Sequence, residues 1–332
     1  MKKAIGLFAA GALVVALSAC SSGAAPAGGD AAGGSANKAL GDIVVGFAQV
    51  GAESGWRTAN TKDIQDSFKE AGIQLKFSDA QQKQENQISA IRSYIQQNVD
   101  YIAFSPVVQT GWDAVLGEAK AAGIPVILTD RAVDSKDTSL YVTFLGSDFV
   151  AEGKKAGEWV TNEYADAKEQ VNIVQLEGTT GSAPAIDRAT GFADAIASNP
   201  NLKVVASQTG DFTRAGGKQV MEAMLKSQPQ IDLVYAHNDD MGLGAIEAIG
   251  AAGKVPGKDI KIVTVDAVHD GMQALSEGKI NFIVECSPLL GKQLIDIVEK
   301  LNAGESVPQR IVTEETTFTQ EQATEALPNR KY

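Results

Sequence analysis

Residues 43–50, IVVGFAQV, form a short and almost uninterrupted apolar run that ends in a glutamine and a valine. Three similar runs follow, each after a stretch of mixed polarity: QLKFSDA at 74–80, YIAFSPV at 101–107 and IPVILTD at 124–130. Apolar runs that alternate with helical stretches are typical of parallel strands covered by helices on both faces. The four runs therefore predict the first four strands of a series of βαβ units.

The stretches between the runs carry a helical pattern. Ile88, Ile91 and Ile95 recur at the 3.6-residue period, which places them on one face of a helix rather than on alternating sides of a strand. A late helix is predicted at 290–301 by a second stripe of this kind: Leu290, Leu294, Ile297 and Leu301. That segment is therefore expected to pack against a sheet rather than to form a tail.

After a fifth run at 141–145 the alternation starts again near Gly146. Further strands are predicted at 171–176, 202–207, 231–236, 260–265 and 281–285. Ten units exceed one comfortable open sheet. The predicted fold class is therefore α/β, with two Rossmann-like lobes built on parallel sheets.

The first 38 residues have a different character. Lys2 and Lys3 precede an apolar run at 4–15, and small residues lead to Cys20, an order typical of a bacterial lipoprotein signal peptide. We expect residues 1–20 to be that signal peptide and Cys20 to be lipidated, the alternative being an ordinary leader with a buried cysteine. Residues 21–38, rich in Ala, Gly and Ser, are expected to form a flexible linker.

Composition and charge narrow the classes of partner. Hydrophobic residues make up 44% of the chain, and no later apolar run is long enough to span a membrane. Without Lys2 and Lys3, 27 basic side chains face 41 acidic ones, a net charge of about −14 with neutral histidine. This balance argues against nucleic acid as a partner, and against any membrane contact other than a lipid anchor. Cys286 has no second cysteine in the body of the chain, so no internal disulfide is expected.

Polar and aromatic side chains follow the predicted strands. In parallel sheets, ligands bind beyond the carboxyl ends of the strands. Carboxylates, guanidinium groups and amides bind vicinal hydroxyls, and aromatic faces suit the C–H face of a sugar ring. Asp79, Asp211 and Asp239 have helix capping as an alternative role, and Asp130 with Arg131 could equally form a structural ion pair. These positions are Gln49, Glu53, Trp56, Arg57, Asp79, Gln81, Ser105, Asp130 and Arg131, and then Glu177, Asp211, Phe212, Arg214, Asn238, Asp239, Asp266 and Glu285.

Motifs of enzymes are missing from the sequence. His237 and His269 stand far apart without a metal-binding pattern, no GxSxG nucleophile elbow occurs, and the glycines after the first run lack dinucleotide-binding spacing. We therefore expect no catalytic residues, no metal and no cofactor. A glycosidase carboxylate pair stays open at this point because its separation is a three-dimensional quantity.

Several long segments resemble the periplasmic sugar-binding proteins of the ribose and galactose type, which feed ABC transporters. They include VGAESGWR at 50–57, TDRAVDSKDTSLY at 129–141 and GDFTRAGGKQVMEA at 210–223, and they are most similar to the galactofuranose-binding members of the family. The resemblance implies a type I fold with lobes at 39–146 plus 286–312 and at 147–285 plus 313–332. The three crossings between the lobes are expected near Gly146, Cys286 and Thr313.

The resemblance also implies roles for individual positions. Asp130 and Arg131 match a pair that holds sugar hydroxyls, and Phe212 matches an aromatic residue near the ring. At the third crossing strand, Glu285 matches the galactofuranose binders, while Cys286 aligns with a glutamine of the ribose binders. The full expected ligand set is Gln49, Glu53, Trp56, Arg57, Gln81, Asp130, Arg131, Arg188, Phe212, Asn238, Asp266 and Glu285.

The function implied is that of a lipid-anchored, extracytoplasmic monomer. It would bind one aldose, galactofuranose or a related furanose or pyranose, and deliver it to an ABC transporter permease. A receptor lipoprotein for a chemotaxis or sensor-kinase partner is the alternative. LacI-type repressors share the fold, but they begin with a basic helix-turn-helix domain, whereas this chain begins with a leader and an Ala/Gly-rich linker.

Overall fold

Two six-stranded sheets organise residues 37–332, the part of the chain that a computed structural model describes. The predicted signal peptide, Cys20 and all but the last two residues of the linker lie outside the described residues. No helix among residues 37–332 has the length and apolar character needed to cross a bilayer.

The strands have the following bounds: β1 Val44–Gln49, β2 Gln74–Asp79, β3 Tyr101–Phe104, β4 Val126–Thr129, β5 Thr143–Gly146, β6 Val171–Glu177, β7 Leu202–Thr209, β8 Leu233–Ala236, β9 Lys261–Asp266, β10 Phe282–Glu285, β11 Arg310–Val312 and β12 Thr317–Phe318. The helices are α1 Gly55–Ala71, α2 Gln84–Gln96, α3 Asp113–Ala121, α4 Phe149–Glu163, α5 Ala183–Ile196, α6 Arg214–Ser227, α7 Asp239–Ala251, α8 His269–Ser276, α9 Gly291–Asn302 and α10 Gln320–Ala326.

The first sheet has the order β11-β5-β4-β3-β1-β2 and is parallel throughout. The second has the order β12-β10-β9-β8-β6-β7, in which only the pair of β12 with β10 is antiparallel. Helices cover both faces of each sheet, as two separate apolar clusters per sheet indicate. We call the two units the first and the second lobe. This is the type I periplasmic binding protein fold, as predicted.

The chain passes between the lobes three times. Residues 147–148 join β5 to α4, residues 286–290 join β10 to α9, and residues 313–316 join β11 to β12. We call these segments the three crossings. The backbone N–H of Thr313 donates to the carbonyl of Gly146 at 3.1 Å, so the first and third crossings lie side by side.

The central strands form where the sequence predicted them because their side chains are buried on both faces. Every residue of β3, β4 and β8 is buried. The predicted stripe of α9 is also confirmed, since Leu290, Leu294 and Ile297 are buried against the first sheet. The short edge strands β11 and β12 were not predicted, because two or three half-buried residues leave no periodic signal.

Candidate ligand-binding site

One narrow cavity lies between the lobes, at the carboxyl ends of the strands. The space inside it, part of which is open to solvent, is about 290 Å³. The first lobe contributes Glu53, Ser54, Trp56, Arg57, Asp130 and Arg131 to its wall. The second contributes Phe149, Pro184, Arg188, Phe212, Asn238 and Asp266, and Cys286 lines it from the second crossing.

The first-lobe wall is a buried ion-pair network. Arg57 Nη2 donates to Asp130 Oδ2 at 2.6 Å, and Arg57 Nε donates to Glu53 Oε1 at 3.1 Å. Arg131 Nη2 donates to the same Glu53 oxygen at 3.2 Å. Ser54 positions this wall by capping α1, since its side chain accepts from the backbone N–H of Arg57.

In this network, Asp130 and Arg131 each lie next to groups of opposite charge. Burial would raise the pKa of Asp130, but the guanidinium groups of Arg57 and Arg131 outweigh that effect and lower it. Burial, together with the positive charge of Arg57, lowers the pKa of Arg131 to about 10. Both groups are therefore ionised at neutral pH, and the wall presents fixed donors and acceptors rather than groups that must change charge to bind.

The second-lobe wall is centred on Arg188 of α5. Its Nε donates to Glu152 Oε2 at 2.7 Å, and its Nη1 donates to the backbone carbonyl of His237. Asp266 lies beside it, with Arg188 Nη2 at 3.9 Å from Asp266 Oδ1. Burial raises the pKa of Asp266 well above its usual value, and Arg188 offsets this only in part.

Phe212 supplies an aromatic face, and the guanidinium carbon of Arg131 lies 5.3 Å from its ring centroid, across the interface between the lobes. The ring rests on the backbone of Gly178, where an added Cβ would lie 1.9 Å from its Cζ atom. Asn238 Nδ2 donates to the carbonyl of Phe212 at 3.0 Å. Asn238 also caps α7 through the N–H of Met241, so its amide both holds the aromatic residue and starts a helix.

Three polar atoms of the cavity wall are buried and have no hydrogen-bond partner among residues 37–332: Glu53 Oε2, Arg131 Nε and Asp266 Oδ2. Buried polar atoms in folded proteins are nearly always hydrogen-bonded, because leaving one unpaired costs about 1–3 kcal/mol. The wall thus offers two carboxylate acceptors and one guanidinium donor to whatever molecule enters the cavity.

Three residues of the cavity wall have strained backbone conformations. Asp130, Phe212 and Asp266 adopt positive φ angles of 61°, 61° and 124°. Such conformations cost about 1–3 kcal/mol each in residues other than glycine, and they cluster at ligand sites, where the fold must aim a side chain. Each of these three residues contributes to the cavity wall.

The lobes also contact each other directly. The N–H of Gly55 donates to Asp240 Oδ2 at 2.7 Å, and the N–H of Gln109 donates to the carbonyl of Gly181 at 2.9 Å. Trp56 Nε1 donates to the carbonyl of Cys286 at 2.7 Å. These contacts join the first lobe to the second lobe or to the second crossing, so the structure represents the closed arrangement of the lobes.

The structure places three of the predicted ligand residues away from the cavity wall. The side chain of Gln49 is fully buried and donates to Asn60 Oδ1 at 2.9 Å, so it secures α1 to β1. Gln81 is exposed. Glu285 accepts from Arg330 Nη1 at 2.8 Å, because consecutive residues of a strand point to opposite sides and Cys286 faces the cavity instead.

The other nine predicted residues line the cavity together, and four lining residues were not predicted as ligands: Ser54, Phe149, Pro184 and Cys286. Phe149 and Pro184 stand in the first turns of α4 and α5, where apolar residues resemble ordinary core positions in the sequence. The sequence analysis noted Cys286 only as the residue beside Glu285 that aligns with a glutamine of the ribose binders, not as a ligand.

A cavity between two α/β lobes joined by three crossings is the arrangement found in periplasmic solute-binding proteins. The periplasmic binding protein domain model matches residues 45–306. The galactofuranose-binding protein YtfQ of Escherichia coli strain K12 is 46% identical over 293 residues, which are 87% of this chain and 92% of that protein. The chain therefore belongs to the periplasmic binding protein family, whose matched relatives are substrate-binding proteins rather than enzymes.

Two solved structures are similar over nearly the same length. A Mycobacterium smegmatis protein in complex with β-D-fucofuranose is 70% identical, with a TM-score of 0.86 over 87% of this chain and 95% of that one. The binding component of the arabinose ABC transporter of Shewanella sp. ANA-3, bound to α- and β-L-arabinofuranose, is 48% identical. Its TM-score is 0.84 over 87% of this chain and 96% of that chain.

Proposed function

We propose that this protein binds one aldose in its furanose form and delivers it to the permease of an ABC importer. The observation that carries the proposal is the set of unpaired buried atoms in the cavity wall, Glu53 Oε2, Arg131 Nε and Asp266 Oδ2. Sugar hydroxyls both donate and accept hydrogen bonds, so one monosaccharide could pair with all three.

The ion pairs already present in the wall favour a neutral ligand. The guanidinium groups of Arg57, Arg131 and Arg188 each contact a carboxylate. An anionic ligand would have to compete with these buried pairs, whereas a neutral polyol needs only the atoms that remain unpaired.

The described relatives support a furanose. The relatives are described as binding galactofuranose, β-D-fucofuranose and L-arabinofuranose, three sugars that share the five-membered ring.

The mechanism is closure of the two lobes around the sugar. Each lobe holds part of the polar wall, so a sugar that bridges Glu53 and Arg131 to Asp266 binds the closed form more tightly than the open form. That difference in affinity is what shifts the population towards closure. The closed form, in which contacts such as Gly55 to Asp240 are made, would then dock on the permease.

We also propose that the protein acts outside the cytoplasm as a monomer held by lipid on Cys20. Metabolic labelling with a radioactive fatty acid tests the anchor: the native protein should carry label and Cys20→Ser should not. The receptor alternative is tested by uptake. Deletion of an importer component abolishes sugar uptake, whereas deletion of a dedicated receptor leaves uptake intact and removes the sugar response.

The test of ligand class is a thermal-shift screen of the purified protein. The panel contains D-galactose, D-fucose, L-arabinose, D-ribose, D-glucose and a methyl galactofuranoside, the free sugars at high concentration because their furanose fractions are small. At about 100 times the dissociation constant, a ligand of the native state adds about 2.7 kcal/mol to the free energy of unfolding. We expect a rise in melting temperature of at least about 5 °C with one or more furanose-forming sugars, and none with glucose.

Asp266→Asn provides the matched variant for this screen. Its Oδ2 has no partner among the described residues, so an uncharged amide breaks no hydrogen bond at that atom, while the ligand loses an acceptor. The melting temperature without sugar should stay within about 2 °C of the native value, and the sugar affinity should fall at least about tenfold. Equal sugar affinity in the variant would remove Asp266 from the binding site.

A further inference from the structure

A cluster of potential metal ligands lies where the three crossings meet, next to the sugar cavity but outside the ion-pair network of the first lobe. Glu152 stands in the first turn of α4, directly after the first crossing. Cys286 begins the second crossing, and Glu315 belongs to the third. One carboxylate oxygen of each glutamate and the Cys286 Sγ atom lie within 4.8 Å of one another. The second and third crossings and the helix that follows the first crossing thus each bring one ligand atom to the same point.

The side chain of Glu152 is held in place, but only one of its two carboxylate oxygens accepts a hydrogen bond. It is 1% exposed, and its Oε2 accepts from Arg188 Nε at 2.7 Å. Its Oε1 is buried and has no hydrogen-bond partner within the described part of the chain. The Arg188 contact fixes the carboxylate, so an acceptor in a water-poor environment is left without a partner beside a thiol.

The other two groups are also fixed. Glu315 Oε1 accepts from the hydroxyl of Thr313 at 2.9 Å and from the backbone N–H of Ser287 at 3.0 Å. Cys286 is 2% exposed, and its sulfur lies 3.4 Å from the hydroxyl of Ser147. The groups that orient these two side chains come from all three crossings. The positions of Cys286 and Glu315 therefore depend on the relative orientation of the two lobes.

We propose that Glu152, Cys286 and Glu315 bind a thiophilic divalent cation of the Zn²⁺ type. Zinc takes thiolate sulfur at about 2.3 Å and carboxylate oxygen at about 2.0–2.2 Å, which places neighbouring ligand atoms about 3.5 Å apart. The three side chains reach that spacing by closing about 1 Å. One water molecule can complete a four-coordinate shell.

The charge and ligand type of the site select the cation. Burial raises the pKa of Glu152 to about 8 and that of the Cys286 thiol well above its usual value, so the site releases protons when it binds a metal. The two carboxylates and the thiolate then carry three negative charges, which a dication and the adjacent Arg188 balance together. Ca²⁺ and Mg²⁺ prefer shells built of oxygen alone, so the sulfur ligand favours zinc and its chemical relatives. When the bond from Cys286 Sγ to the metal forms, the thiol proton passes to solvent.

A cation at this point would tie together all three connections between the lobes. It would resist any rotation that separates the crossings, and it would therefore favour the closed arrangement. Linkage then requires that metal raise sugar affinity by the same factor by which sugar raises metal affinity. This consequence rests on the proposed function, whereas the metal site itself does not.

The test begins without sugar and uses Co²⁺ as a spectroscopic probe for Zn²⁺. The full chain carrying Cys20→Ser leaves Cys286 as the single thiol, because the sequence contains 2 cysteines. Titration with Co²⁺ should produce a thiolate-to-cobalt charge-transfer band that saturates at one ion per chain and is displaced by Zn²⁺. The band reports sulfur ligation directly, so this arm needs no variant that might fail to fold.

Variants of single residues then test the proposed ligands. Glu315→Gln should weaken Zn²⁺ binding at least about tenfold, as should Cys286→Ser. Glu314→Gln is the matched control, since Glu314 is exposed and adjacent in sequence, and it should leave the affinity unchanged. Absence of the charge-transfer band in a protein with a native melting temperature, or native Zn²⁺ affinity in Cys286→Ser, would overturn the proposal. Loss of sugar binding with the band intact would instead overturn the proposed function.

Discussion

Gly55 and Asp240 are joined by a hydrogen bond across the cleft, from the backbone N–H of one to the Oδ2 atom of the other at 2.7 Å. Gly55 begins α1 in the first lobe, and Asp240 lies in the first turn of α7 in the second. Neither residue lines the cavity. The bond exists only while the lobes are closed, so it contributes to closure without contacting a ligand.

Asp240→Ala is therefore expected to weaken sugar binding through the closure equilibrium. The lost bond to a charged group is worth about 1–2 kcal/mol, which corresponds to a five- to thirtyfold lower affinity measured by calorimetry. Asp270→Ala is the matched control, because Asp270 is an exposed partner of Arg214 and makes no contact across the cleft among the described hydrogen bonds. Equal losses in the two variants would count against a closure role.

Asp130→Asn should weaken sugar binding by at least about tenfold and also lower stability. Its Oδ2 receives hydrogen bonds from Arg57 at 2.6 Å and from Ser105 at 2.9 Å. Removing the charge leaves a buried guanidinium with one counter-ion fewer, a change that costs about 3 kcal/mol or more. Urea unfolding and calorimetry measure the two effects, and Asp79→Asn at an exposed position should show neither.

His237 predicts a dependence of stability on pH. Burial, and to a smaller extent the charge of Arg188, holds the pKa of His237 well below its usual 6.5. Below pH 6.5 the unfolded chain binds a proton at this residue and the folded chain does not. The contribution of this group to the free energy of unfolding therefore decreases as the pH falls, by about 1.4 kcal/mol per pH unit.

The measurement compares His237→Phe with the native protein between pH 7.5 and about 5. Neither ring nitrogen of His237 has a hydrogen-bond partner within residues 37–332, so phenylalanine sacrifices no hydrogen bond. Relative to native, the variant should gain stability steadily as the solution is acidified. His269→Phe is the control at an exposed histidine. If the difference in the free energy of unfolding between the native protein and the variant does not change with pH, the prediction that the buried imidazole is neutral is wrong.

Two glycines should respond to alanine in opposite directions. An added Cβ at Gly117 of α3 meets nothing within 4 Å, so Gly117→Ala should raise stability by about 0.5–1 kcal/mol through helix propensity. At Gly153 the Cβ would lie 2.2 Å from the carbonyl oxygen of Arg188, where α4 and α5 pack closely. Gly153→Ala should therefore lower the melting temperature and, by displacing Arg188, weaken sugar binding.

The architecture could be predicted from sequence because burial on both faces produces apolar runs that are easy to detect. The run at 43–50 contains β1 at Val44–Gln49, and the run at 124–130 contains β4 at Val126–Thr129. The edge strands β11 and β12 escaped prediction because their residues are only partly buried. Edge strands carry little pattern in sequence and are set by the tertiary fold.

The site could be predicted only as far as strand ends can be located. Asp130 and Asp266 were found because they end long apolar runs. Gln49 ends such a run too, but its amide turns towards Asn60. The choice between Glu285 and Cys286 depends on which side of the crossing faces the cavity, a one-residue question that polarity alone does not answer.

The segment 310–318 supplies an edge strand to each of the two sheets, although it lies close to the end of the chain. Because the third crossing joins these two edge strands, removal of this one segment would expose the edges of both sheets at once. The two lobes have separate apolar clusters, yet they share a single structural element in their outermost strands.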